Sequence, residues 1–179
     1  MRVVFRCTNE FLERVEQDLR RPHSHAAERV GFIAVRAASL SEGLLLLAQH
    51  YYPVEDADYV RDNSVGALIG PEGLRKALEI ALLNPVGIFH VHCHEYALGG
   101  RHWFSPIDLR EQLSFVPDFF KVNRKNPHGA IVLGPHRSAA GRVWLSPTTV
   151  KPIAEFGYVG RPMTTRYTSA DGTARVENG

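Results

Sequence analysis

The sequence predicts an α/β fold, a mixed central β-sheet flanked by about three helices. Short apolar runs rich in Val, Ile and Phe recur at Glu28 to Val35, Val86 to His92 and His128 to Gly134, as strands require. Elsewhere apolar residues fall at helical spacing, at Phe11, Leu12, Val15 and Leu19 and again at Leu74, Ala77, Leu78, Ala81 and Leu82. With 179 residues, 44% hydrophobic and 22% charged, the chain is long enough for one domain with a full core.

In chain order, Val3 to Phe5 reads as an opening strand, and Thr8-Asn9-Glu10 starts a helix that ends before Pro22. His23-Ser24-His25 follows in a polar turn. With no strand around it and no carboxylate at a following helix start, it reads as surface and not as a metal site. Glu28 heads the strand to Val35, and Gly43 to Gln49 pairs with it across the Ala-Ser-Leu-Ser-Glu turn, continuing to Val54. Asp56 to Asn63 is a loop, Val65 to Ile69 a further short strand, and Gly70-Pro71-Glu72-Gly73 opens a helix that Asn84-Pro85 closes. The near-continuous apolar run from Val86 to His92 marks a central strand. Ser105-Pro106 begins the next helix, with Leu109, Leu113, Val116 and Phe120 as its buried face and a kink or break at Pro117. His128 to Gly134, Arg142 to Ser146 and Ile153 to Val159 complete the strands. The folded domain is placed at residues 1–159, and the polar segment 160–179 reads as a loosely held tail.

Composition narrows the function classes. A formal charge of +2, with no run of Lys and Arg interleaved with aromatics, argues against nucleic acid. Cys7 and Cys93 are the only cysteines, which offers no disulfide framework and fits a reducing compartment. The first residues lack a signal-peptide pattern and no apolar stretch reaches membrane-spanning length, so the expected location is the cytoplasm, with no membrane partner.

The chemistry concentrates between Ile88 and Leu109. On a strand, His90 and His92 share a face with roughly 6–7 Å between their Cα atoms, a separation that suits one metal ion. Asp108, in the helix start Ser105-Pro106-Ile107-Asp108, supplies a third ligand and leaves the fourth tetrahedral position of a Zn²⁺ open to water, as in hydrolytic sites. Each element has a plainer reading, since Ser-Pro-x-Asp is a good helix N-terminus in its own right and a lone strand histidine is usually structural. Yet His90, His92 and His94 line one face of an apolar run, where imidazoles must find partners. A metal-activated water also needs a base that does not ligate, and Glu28 is the first candidate. Cys93 is no convincing nucleophile, because adjacent strand residues face opposite ways and its thiol would look away from His92 and His94.

Glu28-x-x-Gly31-Phe32, followed by His90-x-His92 and Ser105-x-x-Asp108, resembles the JAMM (MPN⁺, or JAB-domain) zinc metalloprotease signature. The element order over about the first 158 residues is similar to the MPN fold, of cytidine-deaminase-like class. The resemblance implies one catalytic Zn²⁺ held by His90, His92 and Asp108, with Glu28 as general base and then acid. It also implies that the Ser105 hydroxyl stabilises the oxyanion. The implied reaction is isopeptide hydrolysis after the C-terminus of a ubiquitin-like protein, for maturation or deconjugation. Two departures stand out: Cys93 replaces a common proline, and the segment from Cys93 to Phe104, carrying His94, Glu95 and His102, is longer than the family usually has. His92 and His94 form a second His-x-His pair, so the ligand register stays open. The long loop, with Val116 to Phe120 and Pro127 to Ala130, resembles bacterial members that accompany ubiquitin-like conjugation enzymes, some in antiphage defence. The implied partners are a ubiquitin-like substrate and the enzymes of its conjugation operon. The alternatives are a catalytically silent MPN scaffold, against which the full residue set speaks, and a JAMM peptidase acting on small peptides or a sulfur-carrier protein.

Overall fold

The structure, a computed structural model, describes residues 1–62, 64–94, 103–160, 164–168 and 174–178. Its strands are β1 Arg2–Thr8, β2 Val30–Leu40, β3 Gly43–Pro53, β4 Gly87–Cys93, β5 His128–Leu133, β6 Ala139–Ser146, β7 Thr149–Pro152, β8 Glu155–Val159, β9 Thr164–Thr168 and β10 Ala174–Asn178. Its helices are α1 Asn9–Leu19, α2 Pro71–Leu83 and α3 Pro106–Val122. The strands form one mixed sheet in the order β10-β9-β8-β1-β3-β2-β4-β5-β6-β7. β1 is parallel to β3 and β8, and β4 is parallel to β5; the other neighbours are antiparallel. Because β2 is antiparallel to both β3 and β4, the carboxyl ends of β1, β3, β4, β5 and β8 meet at one edge, where β2 begins. Ligands of α/β sheets bind outside such carboxyl ends.

Side-chain alternation along β4 decides the layers, since all of its residues are buried. Phe89, Val91 and Cys93 join a core with Phe11, Leu12, Val15 and Leu19 of α1. Ile88, on the opposite face, packs with Ala77 and Ala81 of α2 and Phe119 of α3. Each large apolar side chain so buried contributes about 1.5–3 kcal/mol. His90 and His92 therefore face the α2 and α3 layer. That layer is clamped below them by Asn123, whose side-chain amide reaches the carbonyls of Ala81, Asn84 and Val86 at 2.8, 3.2 and 3.1 Å. Buried His128 completes the clamp: its Nδ1 accepts the Ile88 N–H at 3.1 Å and its Nε2 donates to the Asn123 carbonyl at 2.9 Å.

Several expectations change. Val65 to Ile69 makes no strand; it contributes one isolated bridge, Tyr59 to Ile69. α3 runs through Pro117 as a single helix. Pro117 offers no N–H to the Leu113 carbonyl, and Leu113 itself lies on the outer side, 66% exposed and not buried as its spacing suggested. β6 begins at Ala139, β7 is a wholly exposed edge strand, and β9 and β10 extend the sheet where a loose tail was expected. Among the described residues no helix is long and apolar enough to cross a membrane.

Candidate metal centre

The register of β2 on β4 pairs Phe32 with His90 and Val30 with His92, so continuing it by one step sets Glu28 across from His94. Cross-strand partners share a face, which brings the carboxylate to the imidazoles. The neighbouring residues pin this stretch. The buried Arg29 guanidinium donates to the carbonyls of Arg21 and Pro22 at 2.8 and 2.9 Å and to Asp56 Oδ1 at 2.7 Å, and the Val30 N–H donates to the Tyr59 hydroxyl at 2.8 Å. From the other side, α3 opens with a capping box. The Ser105 N–H donates to Asp108 Oδ2 at 2.6 Å, and the Asp108 N–H donates to Ser105 Oγ at 3.2 Å. The cap fixes the Asp108 carboxylate against the end of β4.

Four atoms converge there. His92 Nε2 and His94 Nε2 lie 3.1 Å apart, Asp108 Oδ1 is 3.5 Å from the first and Oδ2 3.5 Å from the second. Tetrahedral zinc with bonds of about 2.0–2.1 Å has donor-to-donor edges of about 3.3–3.4 Å, so these separations fit one ion. Two imidazoles and a carboxylate are also a donor set that zinc accepts. A ligand atom of Glu28 lies within 4.8 Å of those of His92 and His94. Glu28, His92, His94, Ser105 and Asp108 all line one open cleft of about 690 Å³.

The electrostatics are those of a charged cluster beside a dry core. Burial alone would raise the Asp108 carboxyl, but hydrogen bonds from His92 and His94 hold it well below the usual carboxylate range. The hydrogen bond to Asp108 raises His94. His90 differs. It is buried, its ring 5.9 Å from Phe32 and 5.3 Å from Phe115, and burial, aided by His92, pushes its pKa down to about 3.

Of the residues singled out in the sequence, Glu28, His90, His92, Ser105 and Asp108 all line this cleft, and the histidines within 3.5 Å of the carboxylate are His92 and His94. Asp108 meets the second His-x-His pair, because His94 lies two residues nearer the sheet edge at which α3 starts. The sequence signal for this was the shared parity of His92 and His94, which makes them a second His-x-His pair on the same face. Cys93 faces the α1 core, and the rings of His23 and His25 pack on each other 4.5 Å apart within their turn. Glu95 and His102, in the long loop, lie outside the described residues. One contributor escaped sequence reasoning: Gly66, which lies against Glu28. Neither a family model nor a curated protein matches this sequence.

Proposed function

We propose that this chain is a zinc-dependent amide hydrolase of JAMM type on an MPN fold. Its substrate in this reading is the bond after the C-terminus of a ubiquitin-like protein, and the chain works in a bacterial conjugation system. The observation that carries the reading is the gathering of the His92 and His94 rings within 3.5 Å of the Asp108 carboxylate, with a Glu28 ligand atom within 4.8 Å of those of both histidines, in an open cleft. His92, His94 and Asp108 would hold the ion, a register two residues later than His90 and His92. This choice shortens the excess length of the following loop by two residues. A zinc ion bound there supplies Lewis-acid polarisation of the scissile carbonyl and a water acidified toward neutral pH.

The remaining work falls to side chains of this chain. Glu28 accepts a proton from the attacking water and returns it to the departing amine, a shuttle worth about 10²–10⁴-fold. Ser105 Oγ accepts the Asp108 N–H, which leaves its own hydroxyl proton free to donate to the oxyanion that develops on the carbonyl. The choice of a ubiquitin-like substrate is supported by the JAMM-like signature and the long loop before Ser105.

The test is cleavage of a ubiquitin-like protein joined through its C-terminus to a lysine side chain, with and without a chelator, alongside Glu28→Gln. Release that is lost on chelation, restored by zinc and slowed about 10²–10⁴-fold in Glu28→Gln is expected. Release that persists through both treatments overturns the proposal, and binding of the substrate without any turnover favours the silent scaffold.

A further inference from the structure

We infer that Gly66 is a positioning residue for Glu28, an assignment that rests on the catalytic reading of Glu28. Tyr59 bridges Ile69 and the Val60 N–H donates to the Leu68 carbonyl at 2.9 Å, and residues 64–69 form a strap against the residues that lead into β2. The Gly66 carbonyl accepts two successive amides, Ala27 N–H at 2.8 Å and Glu28 N–H at 3.0 Å. On its other side Gly66 presents bare Cα to the carboxylate: a Cβ there would stand 2.8 Å from both Cδ and Oε2 of Glu28 and 3.2 Å from Cγ. The strap therefore fixes the backbone that carries Glu28 and limits where the carboxylate can lie.

The glycine is not demanded by the backbone. Among the described glycines, only Gly160 adopts the left-handed region that excludes other residues. What a side chain at 66 would meet is the movable end of a glutamate, not a carbonyl or a ring. Gly66→Ala is thus a fold-compatible change whose strain is relieved by swinging the carboxylate away, and a misplacement on the order of 1 Å is enough to slow catalysis about 100-fold.

Three measurements on the full chain decide it. Gly66→Ala is expected to lower kcat about 10- to 100-fold with KM nearly unchanged, and to leave zinc affinity and the melting temperature as in the parent. In a Glu28→Gln background the same substitution should add nothing, because both changes act on one group. An equal further loss in that background, or a parent-like kcat, overturns the inference. A crystal structure of Gly66→Ala reads the same point without any turnover: the Glu28 carboxylate displaced under an unmoved strap supports it, and a displaced strap over an unmoved carboxylate sinks it. Failure of the hydrolase reading is seen separately, as a parent protein without chelator-sensitive cleavage.

Discussion

His128 ties acid sensitivity to the elements that carry the candidate metal site. It is fully buried and neutral, accepting from Ile88 at the start of β4 and donating to Asn123 at the end of α3. Burial pushes its pKa down from 6.5 to about 4. Between those values the unfolded chain binds the extra proton, so the contribution is complete above pH 6.5, falls as the pH drops, and is gone below about 4. The shift corresponds to about 3 kcal/mol in all, and to about 2 kcal/mol between pH 7.5 and pH 5. Urea unfolding at those two pH values measures it. His90, also depressed by burial, adds to the acid slope of the parent, so the informative quantity is the difference from His128→Gln, whose amide keeps an acceptor for Ile88. The variant is expected to be less stable at pH 7.5 but to lose about 2 kcal/mol less than the parent on going to pH 5. An identical pH loss in both proteins refutes the reasoning. Were the variant to unfold, a His128 ring resonance in the parent that titrates near 6.5 would refute it equally.

Zinc at about 100 times its dissociation constant should stabilise the protein by about 2.7 kcal/mol and raise its melting temperature by about 5–10 °C. His94→Ala and Asp108→Ala are expected to abolish that rise and His90→Ala to retain it from a lower starting point; thermal melts showing the reverse would return the ligand role to His90. Replacing Arg29 by Met removes three hydrogen bonds from a buried guanidinium and leaves two carbonyls short of donors, so urea unfolding should show a loss of about 2–4 kcal/mol.

The buried elements were legible because burial writes itself into sequence. β4 and β5 stand where continuous apolar runs place them, β2 begins two residues after Glu28 and runs on to Leu40 through part of the expected turn, and α2 and α3 begin at the Pro71 and Ser105-Pro106 signals. What escaped lies at the sheet margins. Thr149–Pro152 is exposed along its whole length and carries no apolar signature, and Thr164–Thr168 and Ala174–Asn178 offer only Thr, Tyr and Val, whose β preference is a weak signal by itself. Leu113 misled because helical spacing counts a leucine as inward whatever layer covers it. At the site, residue types and order were readable, but the choice between His90 and His94 depended on where α3 meets the sheet. The role of Gly66 depended on a strap whose path no local pattern encodes.

The doubled duty of Asp108 also bears on how such a site is lost in evolution. Its Oδ2 closes the helix cap on the Ser105 amide while the same carboxylate faces both imidazoles. An asparagine in its place still offers an oxygen to the Ser105 amide, as a weaker cap partner without the charge that favours the helix dipole, and brings no charge to an ion. One nucleotide substitution can thus keep the helix start while removing the carboxylate that the proposed metal site would need. Loss of Ser105 has no such soft outcome, because it removes the cap and the hydroxyl donor together.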